Sequence, residues 1–244
     1  MAEIKDCLIV AAGQGTRIKG LGRSKPLIEL AGTPLIEHAI QSAASSGIEN
    51  FVVVTGYRAD ELTSFLQQLS ANNGWNISTV FNPDFLKENG LSVLAAAPLL
   101  QNDFYLCMCD HLVEPEIYSA MAAAKLKDGE VGLGVDYRLN NPMVDIDDVT
   151  KVDLQNGVIR NIGKEIPRYN AYDTGIFRGG QSLFNAIRQN WQQTGDCSIS
   201  GGMKLFAQQG KAIGIDIKAA EWIDVDSEQM HQMATKWLAK RLVS

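Results

Sequence analysis

Leu8-Ile9-Val10-Ala11-Ala12-Gly13-Gln14-Gly15-Thr16-Arg17, followed by Lys25-Pro26-Leu27, is the stretch on which the reading of this chain turns. The apolar run Ile4–Ala12 stops at Gly13-Gln14-Gly15, the pattern of a buried strand that runs into a glycine loop. Two familiar phosphate loops are excluded first. A P-loop requires Lys and Ser/Thr after its last glycine, and here Leu21 follows Gly20. The dinucleotide fingerprint requires a third glycine where Ile18 stands. What remains is a loop of small residues with accessible backbone N–H groups, then Arg17, Lys19, Arg23 and Lys25 with no acidic residue among them. Glycines let a phosphate approach the backbone and the cations neutralise it, so this edge is a candidate polyphosphate site. The bland alternative is a strand-to-helix turn with a solvated basic rim.

Working outward, Thr33-Pro34 opens a helix with Leu35, Ile36, Ala39, Ile40 and Ala43 on one side. Thr33 is its expected N-cap and Gly47 its stop. Phe51–Thr55 is rich in valine, as a strand buried on both faces should be. Leu62, Phe65, Leu66 and Leu69 recur at helical spacing. Ile77–Phe81 and Asp103–Cys109 read as strands and Pro115–Lys125 as a helix. This alternation predicts an α/β fold, a Rossmann-like mixed but mostly parallel sheet flanked by helices. The second half is less regular. Val131–Asp136, Thr150–Leu154, Val158–Ile162 and Ala171–Phe177 read as strands, with a hairpin turn at Gln155-Asn156-Gly157. Helices are expected near Gln181–Gln189, Ser200–Gln208 and after Ser227. With no linker or repeat, the chain reads as a single domain over 1–244 whose later part adds a smaller lid.

Composition narrows the function classes. Hydrophobic residues make up 45% and charged residues 20% of 244 positions, so an ordinary core is expected without metal or disulfide staples. Twenty-two Lys+Arg against 28 Asp+Glu give a net charge of −6, which speaks against a nucleic-acid partner. The longest apolar stretches, Cys7–Ala12 and Leu91–Leu100, are too short to span a bilayer, and no signal-peptide pattern opens the sequence. The expectation is a cytoplasmic protein with no membrane insertion, with a homo-oligomeric state left open. Cys7, Cys107, Cys109 and Cys197 lack zinc-ligand spacing and read as small buried residues.

Asp110 ends an apolar strand, and ligands of open α/β sheets bind at the carboxyl ends of strands. A carboxylate there suits Mg²⁺ against a triphosphate. Asp224 and Asp226 are two apart and share a face in extended chain. The structural alternatives are a turn or cap role for Asp110 before Pro115, and an N-cap of the last helix for Asp226 or Ser227. If the three carboxylates crowd one another, neutralising Asp110 should leave stability unchanged or raise it. Asp145, Asp147 and Asp148 read as an exposed loop. His111 is given a positioning role or none, and Trp222 is placed in the core beneath the Asp224 segment.

These residues resemble the signature of the nucleotidyltransferases that activate phosphorylated sugars and alcohols, including the Gly32-Thr33-Pro34-Leu35-Ile36 that follows the lysine. Asn89-Gly90-Leu91-Ser92 is similar to their base- and ribose-reading loop, and Cys109-Asp110-His111 to their metal-binding strand end. Thr150-Lys151-Val152, Ile162-Gly163-Lys164 and Asp173-Thr174-Gly175 look like acceptor-side strands, and Trp222–Ser227 like the second metal segment. Within that superfamily the chain looks most like the inositol-1-phosphate cytidylyltransferases. The resemblance implies a nucleotide-binding half to about residue 130 and an acceptor-binding half beyond it. It implies a Mg²⁺-dependent reaction of CTP with a phosphomonoester of an alcohol, giving a CDP-alcohol and pyrophosphate. By the same resemblance, Ala11, Ala12, Gly13, Gly15, Thr16, Asn89, Gly90 and Ser92 bind the nucleotide. Arg17 and Lys25 meet the phosphates, and Asp110, Asp224 and Asp226 hold Mg²⁺. Lys164, Asp173, Thr174 and Gly175 bind the acceptor. Phosphocholine, aminophosphonate and sugar-1-phosphate enzymes share the loop, and Tyr169 and Tyr172 offer aromatic walls for choline. A nucleotide-sensing module without catalysis is the non-enzyme alternative.

Overall fold

The computed structural model describes residues 4–21 and 24–241; Arg23 and the side chain of Lys19 lie outside what is described. The first half runs β1 (Asp6–Val10), β2 (Glu29–Leu30), β3 (Thr33–Pro34), α1 (Leu35–Ser45), β4 (Asn50–Thr55), α2 (Ala59–Asn73) and β5 (Asn76–Phe81). It continues through α3 (Gly90–Ala96), β6 (Phe104–Met108), β7 (His111–Val113) and α4 (Pro115–Ala123). The second half comprises β8 (Val131–Asp136), β9 (Lys151–Gln155), β10 (Val158–Gly163), β11 (Ala171–Gly179), α5 (Gln181–Thr194) and α6 (Ile199–Gln208). The chain then closes with β12 (Ala212–Asp216), β13 (Trp222–Asp224) and α7 (Glu228–Arg241).

Nine strands form one mixed sheet in the order β5-β4-β1-β6-β11-β8-β12-β10-β9. The β5-β4-β1-β6 half is wholly parallel, as the strand–helix alternation predicts. β11 enters antiparallel between β6 and β8 and also pairs with β9, so it joins the two halves. The alternation within β1 explains why helices cover both sides. Leu8 and Val10 pack with α3, α5 and α6 residues such as Val93, Phe184 and Phe206. Cys7 and Ile9 face Ile36, Leu62, Ile117 and Tyr118 of α1, α2 and α4. All four cysteines are buried and free. No helix among the described residues is long and apolar enough to cross a membrane.

Two departures from the sequence reading matter. Thr33 does not cap α1. It pairs with Leu30 in a two-residue β-hairpin around Ala31-Gly32, both at positive φ, and α1 starts at Leu35. The second is a small antiparallel ribbon of β7 and β13, in register Asp224↔His111, Ile223↔Leu112 and Trp222↔Val113. It rests on a separate apolar cluster of Ile18, Leu35, Leu112, Ile223, Val225 and Met230. Ile223 and Val225 point into that cluster, so Asp224 and Asp226 point away from it.

α3 is held by close packing rather than by a cap. A Cβ on Gly90 would run into the Cys197 carbonyl oxygen and come within 2.9 Å of Ile187 Cγ2. Gly90→Ala is therefore expected to lower stability by about 1–3 kcal/mol in urea unfolding. Wild-type stability with weakened nucleotide binding would instead make Gly90 a ligand contact.

Candidate active site

Val10 at the end of β1 pairs with Met108 at the end of β6, and Cys109 N–H donates to the Val10 carbonyl at 3.1 Å. The glycine loop and Asp110-His111 therefore open on the same sheet edge. Among the described residues, no backbone N–H from Gly13 to Arg17 donates to a main-chain carbonyl, which leaves them available to an anion. Gly15 has φ +59, and a Cβ there would overlap the Lys25 side chain at 2.5 Å. Only glycine lets the loop lie against that lysine.

Lys25, only 8% exposed, donates from Nζ to both Asp110 Oδ2 and Asp226 Oδ1. Arg17 reaches Asp226 Oδ2 at 2.5 Å and Asp148 Oδ1 at 2.8 Å, and Lys164 Nζ donates to the same Asp148 oxygen at 2.5 Å. His111 Nδ1 lies 2.9 Å from Asp110 Oδ1 and 3.8 Å from Asp224 Oδ1, with its ring stacked on Trp222. Trp222 is buried beneath it, as expected.

These neighbours set the protonation states. Burial opposes the Lys25 charge, but Asp110 and Asp224 outweigh it and raise its pKa. Burial disfavours the Asp110 carboxylate, yet Lys25 and His111 hold it far below the ordinary range. Burial also works against the His111 cation, and Asp224 with Asp110 overcomes it, raising the imidazole to about 9. Asp173 is pushed up to about 6, mainly by burial, against the Gly175 N–H at 2.7 Å and His111. Asp224 is raised by burial and by Asp110, with His111 and Lys25 pulling the other way.

Asp224 Oδ1 is buried and has no hydrogen-bond partner. Ligand atoms of Asp110, His111 and Asp224 lie within 4.8 Å of one another, as do those of Asp148, Asp224 and Asp226. The second set is all oxygen, the donor chemistry of a hard divalent cation. A carboxylate oxygen with no donor, beside two other carboxylates, fits such an ion.

Two cavities adjoin this cluster. One, of about 320 Å³, is lined by Gly13, Gly15, Thr16, Arg17, Lys25 and Asp110. The other is lined by His111, Asp148, Lys164, Asp173, Gly175 and Asp224. Asn89, Met108 and Asp226 line both. Neither Asp110 nor Asp226 is spent on a cap, because Ser227 Oγ accepts the Met230 N–H at 3.2 Å and α4 begins at Pro115 after Glu114.

Several expected residues stand elsewhere. Ala12 is buried in the core with its carbonyl taken by Tyr57 N–H, and Gly90 packs on Cys197. Thr174 is fully buried and donates to the Gly134 carbonyl at 2.9 Å. None of these three lines either cavity. Ala11 and Ser92 line the first cavity, but Ala11 N–H is committed to the Val54 carbonyl and Ser92 Oγ accepts from Asn82 at 2.9 Å. Asn89 is exposed, with its Oδ1 taken by Ile199 N–H at 3.0 Å. Tyr172 is buried and Tyr169 lies under Lys151, so neither walls a cavity. Conversely, Asp145 and Asp147 are exposed as the loop reading expects, whereas Asp148 turns inward to Arg17 and Lys164. No local pattern distinguishes it from its two neighbours in sequence.

A family model described as MobA-like NTP transferase domain matches residues 7–143. A bifunctional IPC transferase and DIPP synthase of Rubrobacter xylanophilus is 31% identical over 95% of this chain and 52% of its own length. The chain spans about half the length of the full-coverage curated relatives it matches. A 2-aminoethylphosphonate cytidylyltransferase of Lancefieldella rimae is 33% identical over 47% of the chain and 46% of the relative. The structure of the inositol-1-phosphate CTP transferase from T. maritima superposes with a TM-score of 0.85 at 22% identity, covering 98% and 96% of the two chains. A UDP-glucose pyrophosphorylase complexed with UDP-glucose gives 0.80 at 19% identity, covering 98% and 100%. Both share the fold.

The raised pKa of His111, which faces Asp110, Asp173 and Asp224, has a consequence for stability. Its folded-state value lies above the ordinary 6.5, so its contribution is complete below pH 6.5 and is lost as the pH rises through about 9. Asp173 acts in the same sense at lower pH, because ionising it between its ordinary 3.8 and about 6 opposes folding. Metal-free protein is expected to lose on the order of 3 kcal/mol between pH 6.5 and 9 from His111. Thermal melts across that range check it, and His111→Gln should flatten the slope.

Proposed function

The chain belongs to the MobA-like NTP transferase family, and from that premise we propose that it transfers a cytidylyl group from CTP to the phosphate of a phosphorylated alcohol of the inositol-1-phosphate type. The observation that carries this reading is Asp226, which stands in the wall common to both cavities with Lys25 and Arg17 bound to it. Two substrates entering from the two sides would meet there. Similarity to an IPC transferase and to an inositol-1-phosphate CTP transferase supports the choice of nucleotide and acceptor.

In this reading an acceptor phosphate oxygen attacks the α-phosphorus of CTP, the bond to the bridging α–β oxygen breaks, and pyrophosphate leaves. The backbone N–H groups of Gly13–Arg17 and the Arg17 guanidinium hold the β- and γ-phosphates. Lys25 lies between the α-phosphate and the incoming phosphate and relieves their repulsion. Lys164 binds the acceptor phosphate, and Asp173 with the Gly175 backbone meets its hydroxyls. Asp110, Asp224 and Asp226, with Asp148 beside them, would hold Mg²⁺, which supplies charge neutralisation for the in-line displacement. No general base is needed, since a phosphate monoester is largely ionised at neutral pH. His111, protonated there, orients Asp110 and Asp224 instead. A CTP-dependent reaction of this kind supports the expectation of a cytoplasmic location.

Two predictions test the reading. Pyrophosphate release is expected with CTP and an inositol monophosphate, at least about tenfold faster than with ATP or GTP at matched concentrations, or about 1.4 kcal/mol of discrimination. Equal turnover with GTP would sink the nucleotide assignment, and turnover only with phosphocholine, 2-aminoethylphosphonate or a sugar 1-phosphate would reassign the acceptor.

The second concerns charge. Lys25→Ala, Asp110→Asn and Asp224→Asn should each lower kcat/KM by about 10² or more. Their stabilities should diverge, which corrects the sequence expectation that neutralising Asp110 relieves repulsion. Asp110 is stabilised by Lys25 and His111, so Asp110→Asn lowers the metal-free Tm. Asp224 is the destabilised carboxylate, so Asp224→Asn leaves the Tm unchanged or raises it. Near-normal activity of Lys25→Ala would make the loop merely structural.

A further inference from the structure

Beneath the acidic cluster lies a fully buried carboxylate that the proposed reaction does not use. Asp136, at the end of β8, is 0% exposed. It accepts five hydrogen bonds. Oδ1 takes Arg138 N–H at 2.9 Å and Nε at 2.7 Å, while Oδ2 takes Arg138 Nη2 at 3.0 Å, Asn141 Nδ2 at 2.9 Å and Trp222 Nε1 at 2.9 Å. Arg138 goes on to the carbonyls of Ala219 (3.2 Å) and Ala220 (2.6 Å), just ahead of β13.

The donors come from two segments, and both lead to the acidic cluster. Asn141 sits in residues 137–150, the connection that ends at Asp148 and Val149, and its own Oδ1 accepts the Met143 N–H at 3.0 Å. Trp222 begins β13, whose third residue is Asp224, and its indole stacks on His111 with 10° between the rings. Asp136 therefore ties together the roots of the strand carrying Asp224 and of the loop carrying Asp148. Hydrogen bonds fix direction as apolar contact does not. A buried carboxylate is costly unless every acceptor site is used, and here five donors converge on two oxygens.

We infer that Asp136 is a positioning residue of the cation site, holding Trp222 and residues 137–141 so that Asp224 and Asp148 converge. It touches neither substrate nor ion. The inference rests on the reading of the acidic group as a divalent-cation site, and deepens it. Residues that orient ligands from behind typically change metal affinity by about 10–100-fold when altered.

The test is direct binding of Mn²⁺, followed by electron paramagnetic resonance of the free ion, with thermal melts on the same samples of the 244-residue chain. Trp222→Phe keeps an aromatic ring and deletes one donor to Asp136; it is expected to weaken Mn²⁺ binding about tenfold or more while remaining folded. Asp136→Asn should weaken it at least as much, and if it fails to fold, Trp222→Phe decides. Phe184→Leu, which loosens the ring stack on Phe104 in the core, should lower the Tm and leave Mn²⁺ affinity unchanged. Wild-type affinity in Trp222→Phe, or an equal loss in Phe184→Leu, overturns the inference and leaves the cation site standing. Wild-type protein that binds no Mn²⁺ overturns the cation reading itself, and the inference with it.

Discussion

The bond network of Lys25, buried between Asp110 and Asp226, is the constraint on which the rest of the site depends. Carboxylates from three distant parts of the chain converge at one sheet edge, and out of water they repel one another strongly. Lys25, Arg17, Lys164 and His111 are interleaved among them and offset that repulsion. The cations are thereby held near the positions in which a polyphosphate would meet them. A triphosphate and a dication arriving together would exchange partners with this network, the cations moving to phosphate and the carboxylates to metal, so that each charge keeps an opposite partner. Such a site is organised before its ligands arrive.

The apolar chemistry beneath makes the convergence geometrically determined. Ile18 from the glycine loop, Leu112 after Asp110-His111, and Ile223 with Val225 around Asp224 all pack into one small cluster. Because side chains alternate in extended chain, burying Ile223 and Val225 turns Asp224 and Asp226 outward. The register of β7 against β13 then sets Asp224 opposite His111. The Trp222–Asp136 bond adds direction to what packing alone would leave free to slide.

Much of this was legible in the chain itself. The β1–loop–Lys25 stretch, the parallel half of the sheet, the strand-end position of Asp110 and the two-residue spacing of Asp224 and Asp226 follow from local pattern. Each depends on periodicity of two or 3.6 residues, or on a glycine where the backbone must turn. The sequence also separates the loop from a P-loop and from a dinucleotide fingerprint, because those differ in residues that touch phosphate.

Partnership across the fold was not legible. Asp145, Asp147 and Asp148 look alike in sequence, yet only Asp148 meets Arg17 and Lys164, because a turn and the packing of half-buried Val149 against the core decide which side chain faces inward. Thr174 and Gly90 carry the residue types of a binding loop, but neighbouring backbone at Gly134 and Cys197 claims them for packing. Asp136 shows nothing local to mark it as the tie between β13 and the 137–150 loop. The sequence by itself determined which residues could bind phosphate and metal, since that is a property of side-chain chemistry and short-range spacing. Tertiary structure alone decided which of them share a charge, because Coulomb and hydrogen-bond energies depend on separation in space rather than along the chain.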